Sequence, residues 1–196
     1  MKRSTARGCG TSMQWRHVIL NAIGSWLHGD PRGFRDRFGR VHSSGDYRNP
    51  PPPGEHAGLL RYMRDRSHGR VRFDACVRSI IIARFVEKTR EQQFRIICCA
   101  LSRDHLHALM ELPDERDEVR RVVGRSKQAA SHAAREYLPG SIWSKGGEYR
   151  RIVDKQHLHN AYHYIRTRQE RGTLVWSHRP DENWIDNELV ELVWRE

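Results

Sequence analysis

The chain has 196 residues, 37% of them hydrophobic, a mean hydropathy of −0.81 and a formal net charge of +11. One ordinary core is all that such a length and apolar fraction support. No stretch approaches the ~20 apolar residues of a membrane span, and no apolar segment of signal-peptide length follows the charged MKRSTARGCG, so a soluble, cytoplasmic protein is expected.

In chain order, residues 1–12 read as a flexible basic lead and residues 13–176 as a single domain. Trp15 to Leu27 (WRHVILNAIGSWL) is apolar and β-rich, a first strand. Residues 30–58 then read as a long basic loop, with DPRG, SSGD and the extended run Pro50–Pro53. Leu59, Leu60 and Met63 fit a short helix, and Phe73, Val77, Ile80 and Ile81 a longer one running to about Lys88. Phe94 to Leu101 is a near-continuous apolar run, as in a central strand, and His105 to Leu112 alternates until Pro113.

Asp114 to Asp117 supplies acidic residues for a helix start. The stripe Val119, Val122, Val123, Ala130, Ala133, Tyr137 follows, and Pro139-Gly140 stops it. Trp143 leads through a glycine turn into a short strand, Tyr149 to Val153, and a last helix spans roughly Lys155 to Arg171, capped by Gly172. The pattern does not place Leu174 to Glu196, of which residues 177–196 form a C-terminal tail beyond the domain. The order describes an α+β domain: one antiparallel sheet with helices packed on it.

The charge is uneven. Residues 1–70 hold thirteen Lys/Arg against five Asp/Glu, eight of the eleven excess charges. Cations set against phosphates release condensed counterions, so the partner expected is nucleic acid; a basic protein at an anionic membrane is the bland alternative. The four cysteines (Cys9, Cys76, Cys98, Cys99) make no CxxC pair, which argues against a thiolate zinc site and a disulfide framework. Cys98 and Cys99 lie in an apolar run and read as small buried hydrophobes.

The sharpest local feature is Asp104-His105-Leu106-His107. On a strand, successive side chains point to opposite faces, so His105 and His107 share one face and Leu106, Ala108, Met110 and Leu112 the other. Two imidazoles one pleat apart can reach one divalent cation; ordinary surface or hydrogen-bonded histidines remain the alternative. A histidine-triad hydrolase would need a third His where Leu109 stands. Tyr162-His163-Tyr164-Ile165 on the last helix offers two phenols about 200° apart, so only one can face a site on the sheet. A phenol (pKa about 10) is a poor nucleophile unless the electrophile is polarised.

His159 and His163 stand four apart as zinc ligands would, but without the Glu of HExxH or a third ligand. Arg120, Arg121, Arg125 and Lys127 are candidate phosphate contacts or a solvated face. Trp15, Trp26 and Trp143 can stack unpaired bases, although two of the three are expected in the core.

Taken together, these motifs resemble the single-tyrosine HUH transposases, including the REP-associated tyrosine transposases. His105-Leu106-His107 matches the family's HUH motif, Ile142-Trp143-Ser144 its WS segment, and Tyr164-Ile165 its nucleophile motif; SWLHGDPRG and Ser126-Lys127-Gln128 resemble further segments. The resemblance implies an HUH-endonuclease (ferredoxin-like) domain acting as a homodimer on single-stranded or hairpin DNA. It implies Mg²⁺ or Mn²⁺ on His105 and His107, and Tyr164 as the nucleophile that leaves a 5′-phosphotyrosine. Among the candidate nucleic-acid contacts read from charge and residue type (Arg120, Arg121, Arg125, Lys127 and Trp143), the resemblance strengthens Lys127. Many members carry Gln or Asn four residues after the tyrosine as a third ligand. Here that position is Arg168, which cannot ligate a cation, so Gln169 is the expected substitute and Asp104 a lesser one. Arg168 also keeps open an inactive descendant that binds structured DNA or RNA without cutting, and a nucleic-acid-binding regulator whose histidines are structural.

Overall fold

The computed structural model describes residues 12–31, 44–45, 49, 51–67 and 69–178. Nearly all of the basic lead, most of the loop at 30–58 and residues 179–196 of the tail therefore lie outside the described residues. The described elements are β1 (Met13–Asn21), α1 (Ala57–Arg66), α2 (Ala75–Glu91), β2 (Ile96–Leu101), β3 (His105–Pro113), α3 (Arg116–Ala133), β4 (Glu148–Arg151), α4 (Lys155–Thr167) and β5 (Leu174–Ser177). The strands form one sheet in the order β4-β1-β3-β2-β5, every neighbouring pair antiparallel. This is the α+β architecture expected.

The alternation of β3 sorts the molecule into layers. Leu106, Ala108, Met110 and Leu112 are fully buried in one cluster with Val77, Ile81 and Phe85 of α2 and Val119, Val122 and Val123 of α3. On the other face Leu109 packs with Leu158, Tyr162 and Ile165 of α4. Two helices thus cover one face of the sheet and one helix covers part of the other. Phe85 is fully buried beneath the helix pair. Phe85→Ala is expected to lower the unfolding free energy by about 3–5 kcal/mol, read from urea denaturation.

Side-chain caps set two helix starts. Asp74 accepts from the Val77 backbone N–H at 2.8 Å, and Asp154 from that of His157 at 2.6 Å. The acidic start expected for α3 is present as Asp117 and Glu118 in its first turn. Burial pushes the Cys98 and Cys99 thiols up, as suits core residues.

Several boundaries differ from the sequence reading. The first strand stops at Asn21, not Leu27, because the chain turns out of the sheet at Gly24. There φ is +74°, and a Cβ would lie 2.9 Å from both the Arg70 Cα and the Gly69 carbonyl oxygen. The Val71 N–H donates to the Ile23 carbonyl at 2.9 Å, so the segment entering α2 lies against this turn. The third helix ends at Ala133; Ala134 is buried and Tyr137 is exposed. The last helix ends at Thr167 rather than Arg171. Finally, Leu174 to Ser177, which the sequence pattern left unplaced, form an edge strand on β2.

Candidate active site

Three imidazoles and one phenol meet on the α4 face of the sheet. His105 and His107 project from β3 with ring centroids 5.1 Å apart and planes at 88°. His17 comes from β1, where it lies opposite Leu109 and so shares the face of the β3 histidines. Tyr164, on α4, has its ring centroid 5.6 Å from that of His107 and 6.1 Å from that of His17.

The two tyrosines of α4 separate as their angular spacing requires. Tyr162 is fully buried against the sheet, its hydroxyl 2.9 Å from Ser177 Oγ and the Arg166 guanidinium over its ring. Tyr164 is 43% exposed beside the imidazoles. The last turn of α4 closes at Tyr164. Its carbonyl accepts from the Arg168 backbone N–H and from the Gln169 side-chain amide, each at 3.0 Å. Gln169 therefore stands beyond the end of α4, its amide N–H capping the Tyr164 carbonyl and its own carbonyl oxygen, the atom that could ligate a cation, not used in that bond.

Each β3 histidine has its Nδ1 engaged. His105 Nδ1 lies 2.9 Å from Asp104 Oδ1 and 2.8 Å from Ser102 Oγ. Asp104 also pairs with Arg70. The hydrogen bond from His105, followed by the Arg70 pair, holds the Asp104 carboxyl down at about 2. It is ionised and can only accept, so His105 carries a proton on Nδ1, which leaves Nε2 as the nitrogen that can ligate a cation. Asp104 is thereby an orienter of His105, and its second oxygen is occupied by Arg70. His107 Nδ1 lies 2.9 Å from His17 Nε2.

Burial pushes His107 down to about 3, with further lowering from His17, His105 and Arg150. Burial likewise pushes His17 down to about 4, with Arg150 the next cause. Both imidazoles are neutral at pH 7, the form that ligates cations. In the unfolded chain each takes up a proton near pH 6.5. Between pH 6.5 and 4 the unfolded state therefore binds more protons, and stability falls as pH falls. The expected loss between pH 7 and pH 4 in EDTA is on the order of a few kcal/mol. It is read from urea midpoints, with a shallower pH slope in His107→Asn. Asp104 adds its own loss only further down, below its unfolded value near 4.

The chemistry of the donor set suits a divalent cation in part. His105 and His107 are adjacent and fixed through their Nδ1 atoms, as histidine ligands generally are. Among the described residues, no group of three or more His, Cys, Asp or Glu side chains is arranged to hold a metal ion. The fit is that of a two-nitrogen platform that needs oxygen ligands from elsewhere.

The expected nucleic-acid contacts do not gather at this site. Arg120 pairs with Asp117, and Arg121 with Glu118; with Arg125 they ride on α3, the layer on the opposite side of the sheet. Lys127 turns inward and donates to the Ser144 and Gly146 carbonyls, each at 2.8 Å, and desolvation lowers its pKa. These bonds tie α3 to the turn before β4. Trp143 is 8% exposed and packs on Phe73 with ring centroids 5.3 Å apart, so it is core and not a stacking platform. Trp15 is buried and Trp26 is 43% exposed, the two-to-one division expected. Ser144 anchors the same turn to the end of β1, its backbone N–H donating to the Asn21 carbonyl at 2.8 Å and its Oγ to that of Ala22 at 2.9 Å. His163 Nε2 lies 3.3 Å from Thr167 Oγ1.

His17 was not among the predicted site residues. Its signal was faint: a lone histidine in an apolar strand, which acquires meaning only from the register of β1 on β3.

No family model matches the chain, and no curated protein matches it. A solved structure of a REP-associated tyrosine transposase bound to a REP hairpin is similar, with a TM-score of 0.42 and 14% identity, covering 84% of this chain and 68% of that one. At that level the likeness carries no argument about activity. No described helix is long and apolar enough to cross a membrane.

Proposed function

We propose that this protein cleaves and rejoins single-stranded or hairpin DNA through a covalent bond to Tyr164, in DNA transposition or the processing of repeated hairpin elements. Mg²⁺ or Mn²⁺ held by the Nε2 atoms of His105 and His107 would polarise the scissile phosphate and stabilise its developing charge. The supporting observation is the meeting of a half-exposed phenol with two Nδ1-anchored imidazoles from a distant strand.

The residues divide the work as follows. Tyr164 Oη attacks the scissile phosphorus and the bond from phosphorus to the 3′ oxygen breaks. The phenolic proton passes to water, and the departing 3′ oxygen takes one from water. The product is a 5′-phosphotyrosine and a free 3′-OH, and attack by the 3′-OH of another strand releases the tyrosine. Asp104 and Ser102 hold the His105 ring, and the Tyr164 carbonyl contacts of Arg168 and Gln169 fix the turn that carries the nucleophile. The positive excess favours the polyanionic substrate by counterion release. A homodimer and a cytoplasmic location belong to the same proposal, the former read by light scattering.

Arg168, standing four residues after Tyr164 and unable to ligate a cation, favours a second reading: a descendant that binds hairpin DNA without cutting it. Hairpin DNA mixed with the protein and Mn²⁺ separates the two. A denaturant-resistant adduct supports cleavage, and salt-dependent binding with no adduct supports the second reading.

A further inference from the structure

We infer that His17 is a positioning residue for His107: it accepts the Nδ1 proton of His107 and so holds the His107 Nε2 lone pair open for a divalent cation. This rests on the proposed function for its purpose, though not for its geometry.

Two nitrogens 2.9 Å apart, both buried, share one proton between them. If His17 donated, His107 Nδ1 would be the acceptor and its proton would sit on Nε2, which closes that atom as a ligand. If His107 donates, Nε2 is the lone pair, and His17 carries its own proton on Nδ1. Only the second arrangement gives His107 the tautomer that Asp104 imposes on His105. The two β3 histidines then match, one oriented by a carboxylate next to it in sequence and the other by an imidazole from the neighbouring strand.

The backbone supports this assignment. His17 is opposite Leu109 and Ile19 is opposite His107, so the His17 side chain reaches His107 diagonally across one face of a continuous ladder. Both rings are over nine-tenths buried, which restricts their freedom to turn. Their centroids are 5.0 Å apart and tilted by 37°, an edge approach suited to an in-plane N–H···N bond and not to stacking.

The test is long-range ¹H–¹⁵N correlation of the histidine rings, which distinguishes Nδ1–H from Nε2–H tautomers and needs neither cation nor DNA. Wild type is expected to show His107 and His105 both as Nδ1–H. In His17→Phe, His107 should lose that single tautomer, and Mn²⁺ affinity, followed by electron paramagnetic resonance of free Mn²⁺, should fall about 10–100-fold. His17→Gln, whose side-chain oxygen can accept in place of Nε2, should recover most of both. His107 found as Nε2–H in wild type overturns the inference, and so does a His17→Phe protein that keeps both tautomer and affinity. Should His17→Phe fail to fold, the wild-type tautomer and the glutamine variant decide. The expected tautomers in a protein that forms no DNA adduct would overturn the proposed cleavage and leave the positioning role standing.

Discussion

Replacing Tyr164 with Phe is expected to abolish the covalent DNA adduct, a loss on the order of a thousand-fold or more, while leaving the fold intact. The hydroxyl removed is on a half-exposed ring beside His107 and His17, so no core contact goes with it. Tyr162→Phe is the discriminating partner. It deletes a hydroxyl that faces Ser177 and Arg166 inside the sheet-to-α4 layer, and should cost about 1 kcal/mol of stability with adduct formation retained. The expected pattern on a denaturing gel with hairpin DNA and Mn²⁺ is a band in wild type and in Tyr162→Phe and none in Tyr164→Phe. The reverse pattern would move the nucleophile to the buried ring and require α4 to rotate.

The second large effect concerns the imidazoles. His105→Ala and His107→Ala should each reduce Mn²⁺ affinity below detection by calorimetric titration, because each removes half of a two-nitrogen platform. Asp104→Asn should be milder. The amide oxygen can still accept from His105 Nδ1, but the ionised carboxylate that raises ligand basicity is gone, and so is the Arg70 ion pair. A weakening of about 10–100-fold is expected. The hierarchy is informative: equal losses in Asp104→Asn and His105→Ala would mean that Asp104 ligates the cation directly. His107 is buried where His105 is partly open, so His107→Ala should also destabilise the fold, by about 1–3 kcal/mol, whereas His105→Ala should barely do so.

What the chain discloses before folding depends on whether the relevant geometry is local. The shared face of His105 and His107 follows from period two within one strand, and Leu106, Ala108, Met110 and Leu112 fix which way that face turns. The separation of Tyr162 from Tyr164 is equally local, a rotation along one helix; which of them meets the histidines was decided by the packing of α4 on β2 and β3. His17 could not be read in this way, because its partner is ninety residues away and only strand register brings them together. Gln169 was misplaced for a different reason. No glycine or proline lies between Lys155 and Gly172, so the pattern continues past Thr167, and the capping bonds onto Tyr164 that end the helix are side-chain and terminal contacts without a periodic signature. Lys127 and Trp143 have residue types that suit DNA and are engaged within the fold: the lysine bonds two turn carbonyls, and the tryptophan ring fills a gap beside Phe73.

The most direct measurement is the mass of the peptide that carries the DNA. The protein, incubated with hairpin DNA and Mn²⁺, denatured and digested with protease and nuclease, should yield a single nucleotide-modified peptide with the added mass on Tyr164. A nucleotide on Tyr162, on any other side chain, or on none while DNA binding persists would contradict the convergence of His105, His107 and Tyr164 on one phosphodiester.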